Sequence, residues 1–139
     1  MDISKFEDAY EVGNKGLKID PNHESLLMNK LLNLINLGKL EEGFNYLDEA
    51  SKTSPHWKTL LQAKAELKID YKEYEEAFEI YDEILKYDKN DETSNSGKYM
   101  LLIILGRKDE ANKLVDKMIE KNISRDWALV SKSITYLEK

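Results

Sequence analysis

An all-α fold, a solenoid of about eight helices stacked as antiparallel pairs, is what this sequence predicts, and three observations predict it. Only 6 Gly and 2 Pro punctuate 139 residues, too few for the turns of a β-sandwich or barrel. Landmarks recur every 34 residues: Pro21 and Pro55 lie one period apart, Gly38 and Gly106 two. Ala9, Gly43, Ala77 and Ala111 keep the same step, each behind an acidic pair: Glu7-Asp8, Glu41-Glu42, Glu75-Glu76 and Asp109-Glu110. Within each period, apolar residues return every three or four positions in two separate stretches, the signature of two amphipathic helices. The length is that of one domain with a modest core, divided into a half unit at 1–23, full units at 24–57, 58–91 and 92–125, and a capping helix at 126–139.

The elements follow in order. A first helix near 3–18 carries Ala9 behind its acids and is weakened by Gly13 and Gly16, each costing about 1 kcal/mol relative to Ala. Pro21 ends it. The stretch 24–37 is apolar almost all round from Met28 to Leu37, and Leu37-Gly38-Lys39 closes it with a glycine suited to a left-handed turn. Leu40, Phe44, Leu47 and Ala50 make one stripe on a helix at 40–53, after which Pro55 breaks the chain. Helices at 58–70 and 73–87 follow, the second with Tyr74, Ala77 or Phe78, Tyr81 and Ile84 in step. The run Tyr99 to Leu105 lies in a helix at 94–105 closed by Leu105-Gly106-Arg107, and helices at 108–121 and 125–138 complete the series. The acidic pairs open the second helix of each unit, where carboxylates interact favourably with the exposed amides of the first turn.

A 34-residue helix-turn-helix unit with a small residue near the start of its second helix resembles the tetratricopeptide repeat, and the resemblance covers nearly the whole chain. The best unit runs from Lys72 to Asp91, where Ala77, Tyr81 and Ile84 fall at the family's small, aromatic and small positions. Its neighbour offers Gly38, Leu40, Gly43, Leu47, Ala50 and Pro55 at the same offsets. In the first helices Leu27 and Leu34 replace the family's Trp and Tyr, and Leu31, Ala65, Tyr99 or Ser133 replaces its Gly, which implies looser or more individual packing. The resemblance implies a right-handed superhelix whose first helices line a concave groove. A helical wheel then places Met28, Leu32, Ile35 and Asn36 on the groove side, followed by Gln62, Glu66, Ile69 and Asp70. Ser96, Met100, Ile103 and Ile104 come next, then Trp127, Val130 and Ile134, so the groove is apolar at both ends and acidic in the middle.

A second lattice runs through the units. Lys30, Lys64, Lys98 and Lys132 are spaced by 34, as are Asp48, Asp82 and Asp116. Each Asp lies about as far before a turn as the next Lys lies after it, which predicts the pairs Asp48 with Lys64, Asp82 with Lys98 and Asp116 with Lys132. A basic track for an acidic ligand is the competing reading of the same lysines.

Composition narrows the function. A net charge of −6 argues against nucleic-acid binding, which relies on clustered cations at phosphates. The longest apolar run, Tyr99 to Leu105, is far too short to cross a membrane, and the start Met1-Asp2-Ile3-Ser4 lacks a signal-peptide pattern, so a soluble, cytoplasmic protein is expected. Zero Cys removes thiolate nucleophiles and Cys-ligated metals. His23 and His56 both follow a proline and read as polar turn residues, and no glycine-rich phosphate loop occurs. No enzyme, metal or cofactor is therefore expected. The groove side lacks the Lys, Asn and Arg with which one subclass of the family clamps a C-terminal carboxylate. These residues predict a non-catalytic protein–protein interaction scaffold whose groove takes a peptide or helix, apolar with basic flanks that complement Glu66 and Asp70. The alternative is a structural self-association domain, a homo-oligomer whose groove holds a second copy or its own chain.

Overall fold

The computed structural model describes residues 3–137, with the side chains of residues 136 and 137 excepted. Among the described residues every element is an α-helix, and there are eight: α1 Ser4–Ile19, α2 Glu24–Asn36, α3 Leu40–Thr53, α4 Trp57–Asp70, α5 Tyr74–Tyr87, α6 Glu92–Ile104, α7 Lys108–Glu120 and α8 Arg125–Leu137. Helix ends fall within two residues of their sequence-derived places. Residues 138 and 139, the expected end of the capping helix, lie outside the described residues. We call α2, α4, α6 and α8 first-type helices, and α1, α3, α5 and α7 second-type. By internal contacts the chain divides into two compact units, 1–64 and 65–139, with α4 running through the boundary.

The turn after a first-type helix has one construction. After α2, Gly38 sits at φ +75°, its N–H donates to the Ile35 carbonyl, and the Lys39 N–H donates to that of Leu34. After α6, Gly106 sits at φ +74° and the Ile103 and Leu102 carbonyls accept in the same pattern. These paired bonds satisfy carbonyls that a helix end leaves open. Lys72 occupies the equivalent place after α4, at φ 61°, with its N–H on the Ile69 carbonyl and that of Glu73 on Lys68. A side chain in this conformation is strained where glycine is not. Across the same turn the Lys68 amine reaches Glu73 and Glu76, each at 2.6 Å. Burial works to lower its pKa, but the hydrogen bonds to the two carboxylates outweigh that and raise it. Because Lys72 is exposed, Lys72→Gly removes the strain without removing packing. It is expected to stabilise the protein by about 0.5–1 kcal/mol, read as a higher urea midpoint at unchanged slope.

The turns between units differ from one another. His23 caps α2, accepting from the Leu26 N–H at 3.4 Å. Asp91 caps α6 more strongly, taking the Ser94 N–H at 2.9 Å and its hydroxyl at 2.6 Å. The buried Asn95 side chain donates to the carbonyls of Lys89 and Asp91. This cap starts α6 at Glu92, two residues before the expected 94.

Each unit has its own core. In residues 1–64 it consists of Leu27, Leu31, Leu34, Phe44, Leu47, Leu60 and Leu61. In residues 65–139 the largest cluster joins Tyr99, Leu102, Ala111, Val115, Met118, Ile123 and Ala128. Leu31, where the resemblance expects glycine, is accommodated by exchange of bulk. A Cβ on Gly43 would stand 3.3 Å from Leu31 Cδ1, so glycine on α3 makes room for leucine on α2. Leu31 and Tyr99 are both buried despite their size.

Candidate functional site

The lysine lattice resolves into ion pairs. Lys64 meets Asp48 at 2.5 Å in the first unit. In the second, Lys98 meets Asp82 at 2.6 Å and Lys132 meets Asp116 at 2.5 Å. All three expected pairs form because Asp and Lys straddle each turn at matching distances, which brings them level on neighbouring helices. Lys30 departs from the pattern: Asn14 stands where the acid would be, and the amine lies over the Tyr46 ring at 4.5 Å and the Tyr10 ring at 5.7 Å. Tyr46 also carries a buried hydroxyl without a hydrogen-bond partner, and burial, then the nearby Tyr10, pushes its pKa up to about 12. Partly exposed pairs of this kind contribute about 0–1 kcal/mol each. Their carboxylates occupy the amines that a basic track would have offered, and the lattice serves register.

The residues assigned to the groove side are on the surface: none of the fifteen is buried. In the first unit Leu32 and Asn36 are exposed, while Met28, Ile35 and Gln62 are half-buried. In the second, Met100, Ile104, Val130, Ile134, Glu66 and Asp70 are exposed, and Ile69, Ser96, Ile103 and Trp127 are half-buried. Two of these residues also serve the core. The Trp127 ring meets Tyr99 edge to face, with centroids 5.5 Å apart, and Ile103 packs on the same cluster. The Tyr99 hydroxyl, in turn, bonds Thr135 at 2.8 Å, which ties α6 to α8.

A cleft of about 650 Å³ opens on this face of the second unit, lined among others by Tyr81, Glu92, Gly97, Met100 and Trp127. Tyr81 reaches it from α5 only because position 97 has no side chain: a Cβ there would stand 2.6 Å from ring atoms Cε2 and Cζ. Burial, then the carboxylates of Glu66 and Asp91, raises the Tyr81 pKa, so the local field is negative. Sequence reasoning missed Tyr81, Glu92 and Gly97 as face residues. The one available signal was a glycine in mid-helix, which has a cost unless something fills the space.

Comparison with known protein families and with curated proteins finds no match in either. The turn histidines bear on metal chemistry: His23 is a helix cap, and His56 Nδ1 lies 3.5 Å from a Glu24 carboxylate oxygen. Among the described residues no group of three or more His, Asp or Glu is placed to hold a metal ion. No helix among them is long and apolar enough to cross a membrane. What the arrangement offers chemically is apolar surface beside carboxylates, carried on helices that firm cores hold in place.

Proposed function

We propose that the protein is a non-catalytic interaction module, similar to a tetratricopeptide-repeat domain, that holds an apolar segment of a partner protein against its first-type helices. The observation that carries this reading is repeated exposure at one position of the unit. Leu32, Met100 and Ile134 are equivalent residues of α2, α6 and α8, exposed at 53%, 49% and 51%. Their neighbours Leu31 and Leu102 are buried, so the helices have apolar surface to spare after their cores are filled. In the second unit Met100 and Ile104 on α6, with Val130 and Ile134 on α8, give the kind of apolar surface that marks a binding face. Methionine adapts to differing side chains. Glu66, Asp70 and Glu92 suit a segment whose flanks carry Lys or Arg.

Selection from a displayed library of random peptides tests the reading. Enriched sequences are expected to carry an apolar stretch beside Lys or Arg and to bind at least about tenfold more weakly (about 1.4 kcal/mol) to Met100→Glu. Met100 is half in water, so the thermal midpoint should not move. No enrichment, or equal binding to Met100→Glu, overturns the proposal.

A further inference from the structure

Position 97 decides what the wall of α6 can hold. With no side chain there, the Tyr81 oxygen lies 2.9 Å from where a Cβ would stand, and Tyr81 and Gly97 line the same cleft in the second unit. Tyr81 is 3% exposed, so the hydroxyl end of the phenol is the part beside Gly97. Trp127 forms another part of the wall: Tyr99 meets its ring edge to face, and the indole is left half-buried. Glu92, exposed at the start of α6, lines the cleft as well. Its Oε1 accepts from the Ser124 N–H at 3.3 Å, which holds the carboxylate near the start of α8. Among the described residues that line the cleft none is Lys or Arg, and Arg125 belongs to an adjoining depression that shares Glu92 and Trp127. The cleft therefore sets an aromatic plane, a carboxylate and a phenol oxygen around one space, in the negative field of Glu66 and Asp91.

We infer that this cleft receives the guanidinium of an arginine in the partner segment, which lies on the Trp127 indole, pairs with the Glu92 carboxylate and donates to the Tyr81 hydroxyl. The inference rests on the proposed function, whose apolar segment, held along α6 and α8, carries the arginine there. An exposed carboxylate alone binds a cation weakly in water. An aromatic plane beside it adds attraction for the cation and displaces part of its water. Guanidinium suits this pair better than ammonium does: it is planar, less strongly hydrated, and carries several N–H donors in fixed directions, enough for a carboxylate and a phenol oxygen together. A neutral apolar side chain in the same place would take water from the carboxylate and return nothing.

The probe is N-acetyl-arginine amide, with N-acetyl-citrulline amide as its uncharged near-isostere and N-acetyl-lysine amide as the ammonium control. Nuclear magnetic resonance titration of the whole chain reads the Trp127 indole N–H and the Gly97 amide. The arginine probe is expected to shift both and to saturate in the millimolar range, with citrulline at least about tenfold weaker and lysine several-fold weaker. Glu92→Gln, at an exposed position, keeps an oxygen for the Ser124 N–H, so it should keep the thermal midpoint while binding the arginine probe about tenfold more weakly. Tyr81→Phe leaves the ring against Gly97 and should weaken the probe about threefold. Met100→Glu adds a carboxylate to the wall and should tighten it, although the same substitution weakens the peptides of the proposed function. Equal binding of arginine and citrulline, or binding undiminished by Glu92→Gln, overturns the inference. Apolar peptides selected without arginine, together with no saturable shift from the arginine probe, overturn it while sparing the reading on which it rests. Failure to select any peptide, with the arginine shifts intact, overturns that reading and leaves the arginine pocket standing.

Discussion

Leu102→Ala is expected to destabilise the protein by about 2–5 kcal/mol, while Met100→Ala, two residues away on α6, should change stability by less than about 0.5 kcal/mol. Leu102 is 2% exposed and packed among Tyr99, Val115 and Met118, so truncation removes transfer energy and leaves a void that these residues fill only in part. Met100 keeps half its surface in water and holds no comparable place in the core. In a Trp57→Phe background, which removes the other tryptophan, urea unfolding followed by Trp127 emission reports on the relevant unit, since that ring packs on the same cluster. Equal losses from both substitutions would mean that the face of Met100 is structural, removing the ground for a binding role.

Gly97→Ala is expected to cost about 1–3 kcal/mol although alanine is the better helix former by about 1 kcal/mol. The added Cβ would stand 2.6 Å from two carbons of the Tyr81 ring and 2.9 Å from its oxygen. A buried ring cannot bend away as a flexible chain end does, so the ring or α6 must shift. Gly13→Ala supplies the internal contrast: nothing lies within 4 Å of a Cβ there, and stability should rise by about 0.5–1 kcal/mol. In a Tyr81→Leu background the penalty at position 97 should vanish. Thermal melts of the wild type, the three single variants and the double variant decide the matter, and a persistent penalty in the Tyr81→Leu background would place the conflict elsewhere than at the ring.

Much of the fold was legible because the repeat writes the same physical demand several times. Prolines and glycines at fixed spacing marked the turns, and the Asp–Lys offset across a turn was enough to name three ion pairs that form. What escaped was information held in single contacts. Lys72 takes the left-handed turn position without being glycine, so the residue type gave no signal. Lys30 had the ladder's spacing but Asn14 in place of its acid, and only geometry showed the amine turning to aromatic rings. α6 begins early because Asp91, Ser94 and Asn95 bond locally, a cap that a period count does not see. The helical wheel named fifteen residues that are exposed or half-buried, but it could not reveal that Trp127 also packs against Tyr99. Nor could it show that Tyr81 enters through the gap at Gly97.

The Asp–Lys bridges have a consequence for how such a chain can change length. Asp116 and Lys132 meet across 16 residues, and one residue inserted in α8 ahead of Ala128 would rotate the rest of that helix by roughly 100° about its axis. Lys132 would swing away from Asp116, and Ala128 would leave the core. A duplication or deletion of 34 residues, by contrast, keeps the helical register, although size matches such as Gly43 with Leu31 and Gly97 with Tyr81 belong to single pairs. Register is therefore kept by steps of 34 residues and lost by a step of one within a helix, so changes of length inside the helices are confined to whole units.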